Sequence, residues 1–493
     1  MIRAYSIDDV RAAEAAVMAA LPEGELMQRA AHGLAEVSAA RLEASDGRTV
    51  VALVGGGDNG GDALYAAGLL SDAGYACVVV LVPTAGRAAV HQSGLEAAEA
   101  SGAGVVVAAD DAAAAASAIA EADLVVDGIT GIGGHPGLRA EARQLVDAIA
   151  DDAWVVAVDL ASGLDPSGLE PAEHHVWADE TVTFGVPKPV HLLPPGEAAS
   201  GRLTVVEIGV DLGDRVPAVE RLTFEDVAAA WPVPVPSDDK YSRGVLGVVA
   251  GGERYTGAAI LSVTAAVEAG AGMVRYVGTK APTELVRAAV PEAVHGDGQV
   301  QAWLVGPGLD VTATDPGAYE QLRVARAALA GGLPVVVDAG GLDLVTGRRE
   351  GSTLLTPHAG ELARMLGRLS GAPVSRGQVE HDPVGHARRL ADLTDAVVLL
   401  KGATTLVVPP GTAAIRSQAD APAWLATAGA GDVLSGILGT LLAAGLEPVE
   451  AGSLGALVHG VSADLASSGG PLRALSVARG IPAAVRSLLH RAG

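Results

Sequence analysis

Short apolar runs rich in β-branched residues recur along the first half of the chain, separated by Ala-rich stretches with helical spacing. Residues 49–54, 77–82, 104–107, 123–127, 154–159, 181–184 and 203–208 each fit a strand. Ahead of them, Ile7, Val10, Ala13 and Val17 space like one face of a helix, and the Ala-rich run 111–120 has the propensity of an ordinary helix. A second strand series occupies 245–250, 273–277, 302–305, 334–338, 353–356, 396–401 and 405–408, after which the pattern turns helical to the end. Alternation of this kind predicts an α/β fold with mainly parallel sheets covered by helices. Ligands on such sheets bind at the carboxyl ends of the strands.

At 493 residues the chain is too long for one core, which predicts two domains. Between the two strand series lies 211–240, containing Trp231-Pro232-Val233-Pro234-Val235-Pro236. Alternating prolines stop a helix and cannot pair in a central strand, so this stretch reads as the linker region. The expected boundary is near residue 215, giving domains 1–215 and 216–493, with the segment after it packing onto the second. No internal repeat is apparent.

Two glycine loops carry acids, one in each half: Gly55-Gly56-Gly57-Asp58-Asn59-Gly60-Gly61-Asp62 and Thr427-Ala428-Gly429-Ala430-Gly431-Asp432. Each leads into a predicted helix, whose N-terminal N–H groups suit phosphate. The spacing Gly55-x-Gly57-x-x-Gly60 matches a dinucleotide fingerprint, and a tight turn needing glycine is its plainer reading. Asp58 would face the pyrophosphate, and Val82-Pro83-Thr84 lacks the ribose-binding acid, so an ordinary nicotinamide dehydrogenase is disfavoured. Further acids close later strands. Asp127 precedes a glycine loop made of Gly131, Ile132, Gly133, Gly134, His135, Pro136 and Gly137, and Asp159 leads into Ala161-Ser162-Gly163-Leu164-Asp165. Each such Asp can be a cap or turn former. If the strands are neighbours, Asn59, Asp127 and Ser162 bring three oxygen ligands to one sheet edge, for a monovalent cation or magnesium. Asp159 beside them could move protons.

In the second half, the amides of the 429–431 loop can stabilise a phosphoryl group in transit while Asp432 takes a proton from an attacking hydroxyl; capping alone is the alternative. Lys401-Gly402-Ala403-Thr404-Thr405 follows a strand, offering a charge from Lys401 and hydroxyls from Thr404 or Thr405 to a nucleotide phosphate. His358, in Thr356-Pro357-His358-Ala359-Gly360-Glu361, reads equally as a packed turn histidine or a substrate contact. Val305-Gly306-Pro307-Gly308 and Tyr255-Thr256-Gly257-Ala258 add two more candidate loops.

The net charge of −25 argues against nucleic acid or an anionic membrane as partner, and leaves any anionic ligand to local devices. The one cysteine, Cys77, starts a strand-like run and reads as buried. The N-terminus lacks a basic stretch followed by an apolar block, and the longest apolar stretch, 433–446, is too short to span a bilayer, so a cytoplasmic protein is expected. The oligomeric state stays open, a homo-oligomer included.

The first half resembles the N-terminal, YjeF-like domain of NAD(P)H-hydrate epimerases. The resemblance rests on Leu26-Met27-Gln28-Arg29-Ala30, the 55–62 loop, Asp127 with its loop, the segment 158–165 and Thr183-Phe184-Gly185-Val186-Pro187-Lys188-Pro189. It implies a Rossmann-like three-layer domain in which Asp58, Asn59, Gly60, Gly61, Asp62 and the 131–137 loop contact the hydrated dinucleotide. It also implies that Asn59, Asp127 and Ser162 bind potassium and that Asp159 contacts the reacting ring. Asp58 stands where Asn is usual, Ala63 where Gly is common, Ala161 where Pro is common and Thr130 where an aromatic is expected. The carboxylate of Asp58 beside an anionic ligand is the departure that matters most.

Residues 220–493 resemble the ribokinase-like, ADP-dependent NAD(P)H-hydrate dehydratases, through the segments above together with Lys240-Tyr241-Ser242-Arg243-Gly244 and Gly270-Ala271-Gly272-Met273-Val274. That resemblance implies substrate contacts at Ala258, Gly308, His358 and Asp432, adenine nucleotide contacts at Lys401, Gly402, Ala403, Thr404, Thr405 and Gly431, ADP as co-substrate, and Mg2+. Ala430 replaces the usual Ser or Thr, and Gly340-Gly341 interrupts the acid expected after Asp338. Together the halves would repair hydrated NADH and NADPH: the first interconverts the R and S forms, and the second dehydrates the S form. Two alternatives are a small-alcohol kinase fused to a nucleotide-binding regulatory domain, and a first domain that only senses nucleotide.

Overall fold

The computed structural model describes residues 1–82 and 90–490. Pro83 and Thr84, part of the argument against a ribose-binding acid, lie outside them. Packing divides the chain between Val219 and Glu220, just past the expected boundary: Arg3–Val219 forms one unit, and Met1–Ile2 groups with Glu220–Gly493 in the other.

After a short strand, β1 (Ile2–Ala4), the first unit builds a seven-stranded sheet from β2 (Thr49–Val54), β3 (Ala76–Leu81), β4 (Gly104–Val107), β5 (Leu124–Gly128), β6 (Trp154–Val158), β7 (Glu180–Phe184) and β8 (Arg202–Val206). The order is β4-β3-β2-β5-β6-β7-β8, with every pairing parallel. The central strands are buried on both faces, which is why they read as continuous apolar runs. Strand order reverses between β2 and β5, which opens a crevice at their carboxyl ends. The helix Asp58–Asp72 begins directly above that crevice. Cys77 is buried on β3, where desolvation raises its pKa to about 11, so it remains a thiol.

The second unit's sheet adds β9 (Val219–Arg221), β10 (Val245–Val249), β11 (Met273–Val277), β12 (Val294–His295), β13 (Ala302–Val305), β14 (Val335–Val337), β15 (Thr353–Leu355), β16 (Val397–Leu400), β17 (Thr405–Val408) and β18 (Ile415–Gln418). The order is β1-β9-β18-β17-β16-β15-β14-β13-β10-β11-β12, parallel from β16 to β12 and antiparallel where β17 joins β16 and β18. Its order reverses between β10 and β13. Contrary to the expected helical run after 408, β18 intervenes. Its Ser417 and Gln418 are buried polar residues, and the Gln418 side chain accepts from the Leu222 N–H at 2.8 Å, so polarity hid the strand.

Small residues let the helices of this unit approach closely. A Cβ on Gly436 would lie 2.4 Å from the Ser262 carbonyl oxygen, so the helix Ala430–Ala443 sits tightly on the helix Thr256–Glu268. Trp231 ends the helix Phe224–Ala230 and is buried in this unit's core, so β9 and this helix interrupt the expected linker and leave 211–218 and 232–240 without regular structure. No described helix is long and apolar enough to cross a membrane.

Leu438 is fully buried on the helix Ala430–Ala443. Leu438→Ala should lower the unfolding free energy by about 2–5 kcal/mol, read from chemical denaturation. A loss under 1 kcal/mol would mean that this helix is not tightly packed.

Candidate functional site

In the first unit, register aligns the strand ends: Val54 pairs with Gly128, Asp127 with Ala157, and Val158 with Val182. The amide of Asn59, in the first turn of Asp58–Asp72, donates to the carbonyls of Val158 at 2.6 Å and Thr130 at 3.1 Å. The Thr130 N–H donates to Ser162 Oγ at 2.9 Å, and the Ser162 N–H donates to Asp127 Oδ2 at 2.8 Å. Asn59, Asp127 and Ser162 thus meet around Thr130. The 131–137 loop leaves from the same place: a Cβ on Gly131 would lie 2.2 Å from Asn59 Oδ1, so only glycine fits. Arg11 donates to the Ile132 carbonyl at 2.9 Å, while Gly133, His135, Pro136 and Gly137 are exposed.

Asp159 is buried at a positive φ of 64° and forms an ion pair with Lys188, whose side chain is completely buried. Thr183 Oγ1 donates to the same carboxylate oxygen at 2.9 Å. Burial opposes ionisation of Asp159, yet the Lys188 ammonium outweighs it and holds the carboxyl below its ordinary pKa. His191 Nδ1 accepts from the Lys188 N–H at 3.0 Å, so Nε2 carries the proton and donates to the Asp159 carbonyl at 2.9 Å. Burial holds this imidazole neutral, with a pKa lowered to about 4. Asp127 is fully buried with a pKa raised by desolvation to about 6, against hydrogen bonds from Ser162 and Ile129. Asp62 is buried one turn beyond Asn59, and Asp58 is exposed.

In the second unit, Asp338 follows β14, His358 follows β15, Lys401 follows β16 and Gly308 follows β13. All therefore stand at the carboxyl edge. Lys401 Nζ lies 2.7 Å from Asp338 Oδ1 and 3.8 Å from Glu361 Oε2. Ser435 Oγ donates to Asp338 Oδ2 at 2.7 Å. A Cβ on Gly431 would lie 3.4 Å from Lys401 Nζ, so the helix N-terminus faces that lysine. Burial disfavours the Lys401 ammonium, but Asp338 and then Glu361 outweigh it and raise its pKa. Asp432, half-buried in the first turn, has a pKa raised to about 7 by desolvation and then by Asp338, with Lys401 opposing.

His358 caps the helix Ala359–Ser370: its Nδ1 accepts from the Gly360 and Glu361 N–H groups, and Glu361 accepts from the His358 N–H at 2.8 Å. With its side chain 53% exposed, it also remains open to a ligand. Ala258 is buried against Gly308, where a Cβ would come within 2.7 Å of the alanine methyl. Gly402 and Ala403 are exposed, Thr404 is buried, and Thr405 opens β17.

The family described as "YjeF-related protein N-terminus" matches residues 23–190, and the family described as "NAD(P)H-hydrate dehydratase" matches 246–476. The bifunctional NAD(P)H-hydrate repair enzyme Nnr of Mycobacterium tuberculosis is 45% identical over 467 residues, which cover 91% of this chain and 90% of that protein. The chain belongs to the bifunctional NAD(P)H-hydrate repair enzymes. The corresponding enzyme of Mycobacterium leprae is 43% identical over 94% of both chains, and that of Escherichia coli is 31% identical over 93% of this chain and 88% of its own.

In this repair enzyme, sequence reasoning assigned no role to Lys188 or Glu361 and left that of Asp338 open. A lysine between two prolines, in a segment that continues from a buried strand, was the available signal for Lys188. Asp338 was visible as the acid closing a run of valines. Its partners Lys401 and Ser435 come from elements 63 and 97 residues away and carry no local signal.

The environment of Asp432 can be measured without substrate. Carbon-13 titration of its carboxyl should give a midpoint near pH 7. Asp338→Asn should move it to lower pH, because a like charge is lost and Lys401 is released toward Asp432; Lys401→Met should move it higher. A midpoint at an ordinary carboxylate value, unmoved by either change, would refute this electrostatic arrangement.

Proposed function

We propose that the unit Arg3–Val219 performs the epimerase half of the repair and that the unit containing Glu220–Gly493 performs the dehydratase half. The observation that carries the second assignment is a carboxyl of raised pKa, Asp432, in the first turn of a helix whose leading loop faces Lys401. A base with a pKa near the working pH both exists ionised and accepts a proton readily.

In this reading ADP lies along Lys401, Gly402, Ala403, Thr404, Thr405 and Gly431, and the S-form hydrate touches Ala258, Gly308, His358 and Asp432. Asp432 takes the proton of the C6 hydroxyl as its oxygen attacks the β-phosphorus of ADP. The helix N-terminal amides stabilise charge on the transferring group, and AMP leaves. Phosphate is a far better leaving group than hydroxide. The ring nitrogen expels it, loss of the C5 proton restores the double bond, and NADH or NADPH results. Both Asp338 oxygens are already engaged, and no group of three His, Cys, Asp or Glu among the described residues is arranged to hold a metal. Mg2+ held by the nucleotide phosphates would neutralise their charge.

In the first unit, the substrate hydrate lies against Asp58, Asn59, Gly60, Gly61, Asp62 and the 131–137 loop, with Asp159 at the reacting ring. Asn59, Asp127 and Ser162 would hold potassium. The donor set suits it: the oxygens are mainly neutral, and no side-chain cation is paired with the fully buried Asp127 among the described residues. The ion would supply positive charge beside Asp127.

Mixed R and S hydrates of NADPH, given ADP, Mg2+ and K+, should regain the full absorbance of the reduced ring faster than spontaneous epimerisation allows. Recovery halting at the S fraction would remove the epimerase assignment, and a stable phosphorylated product would favour a kinase. Asp432→Asn should retain nucleotide affinity while losing on the order of 10²–10⁴ in kcat. Turnover like that of the parent would eliminate Asp432 as the base.

A further inference from the structure

Asp62 is a buried carboxyl, 7% exposed, that makes no hydrogen bond with any described residue. It lies one turn after Asn59, hence on the same face of the helix Asp58–Asp72. That face points at the end of β6, because the Asn59 amide reaches the Val158 carbonyl, the residue before Asp159. Strand order places β5 between β2 and β6, so Asp62 and Asp159 approach the space above β5 from its two sides. Asp159 already has Lys188, Thr183 and the Phe184 N–H. Asp62 has no hydrogen-bond partner among the described residues, and burial beside a second carboxylate favours its neutral acid form.

We propose that Asp62 is a catalytic acid of the epimerisation, donating its proton to the C6 hydroxyl while Asp159 serves as the base. The proposal rests on the epimerase reading above. The step is dehydration followed by rehydration. Asp62 protonates the hydroxyl, the C6–O bond breaks with its electron pair leaving on water, and the ring nitrogen lone pair forms the N1=C6 iminium. A water molecule then attacks C6 from the other face, the π pair returns to nitrogen, and the water's proton passes to Asp159. Nothing is oxidised or reduced. Lys188 favours the ionised form of Asp159, which returns its proton to solvent, and Asp62 regains one for the next turnover.

The charges around Asp62 agree. Its carboxyl is held well above the ordinary range by desolvation first, then by Asp159, Asp58 and Glu14, with Lys188 opposing. Glu14 reaches the site from the helix Ile7–Met18, which Arg11 anchors to the Ile132 carbonyl.

Two measurements on the full chain, without ADP so that no dehydration competes, test the proposal. Asp62→Asn keeps the shape and removes the proton; it should cut epimerisation kcat by about 10²–10⁴ with KM changed less than threefold. Epimerisation like that of the parent, or a loss confined to KM, would overturn the role. In oxygen-18 water the parent enzyme should place one labelled oxygen at C6 for each inversion, above the uncatalysed background. Retention of the original oxygen would overturn it as well, since the ring would then open and close through its C–N bond without needing an acid at the hydroxyl. A parent enzyme that does not accelerate epimerisation at all would instead remove the underlying epimerase reading.

Discussion

A buried aspartate held by a lysine stands at the carboxyl edge of each sheet, and the chemistry of both units is arranged around that pair. Asp159 with Lys188 ends β6, and Asp338 with Lys401 ends β14. Either charge buried alone would be strongly unfavourable, and removing one partner would leave the other uncompensated. The pair therefore fixes the relative position of the elements that supply it. In the first unit it joins the end of β6 to the turn after β7. In the second it joins the ends of β14 and β16 across β15, and Ser435 extends it into the helix Ala430–Ala443.

Each pair also creates a second, different carboxyl. Asp62 and Asp432 lie near the N-terminal ends of helices that start at the same edges, Asp62 in the second turn and Asp432 in the first, and each feels the paired aspartate as a like charge. Burial and that charge push the second carboxyl up, and in the first unit Lys188 outweighs burial and holds Asp159 below its ordinary pKa. In the first unit two acids of one residue type are thereby shifted in opposite directions, which suits proton transfer both ways. The lysines give up part of their value as phosphate binders to do this. An anionic dinucleotide on a chain of net charge −25 then depends on helix N-termini and glycine-loop amides. Asp58 is the unfavourable element in that arrangement. It complements the positive end of its own helix but repels phosphate, and its exposure lets solvent screen the repulsion.

What the sequence disclosed follows from the same physics. Strands buried on both faces must be continuous apolar runs, so β2, β5, β6, β10 and β13 could be read directly, as could the glycine loops at their ends. The short strands β1, β9 and β12 and the polar β18 carry too little periodicity to register. Asn59, Asp127 and Ser162 were grouped from the chance that their strands were neighbours, and the parallel register brings them around Thr130. The partners of Asp338 could not be read, because a contact between residues 338, 401 and 435 is a property of strand order. His358 offered two readings, and the fold gives it a cap role without closing it to a ligand.

The two reactions share an intermediate problem that explains why one chain uses two sites. Loss of a group from C6 leaves a cationic ring, and its fate depends on what is nearest. Water readdition inverts the centre, whereas loss of the C5 proton regenerates the reduced nicotinamide. On the reading proposed above, the leaving group in the first unit is water itself, so rehydration competes effectively and an acid with an ionised partner suffices. In the second, on the same reading, a phosphate ester replaces the hydroxyl before it departs. The departing phosphate is a poor nucleophile toward the ring. The same cation is thereby directed to opposite outcomes by the leaving group, and the leaving group is set by whether a nucleotide phosphate can reach the hydroxyl.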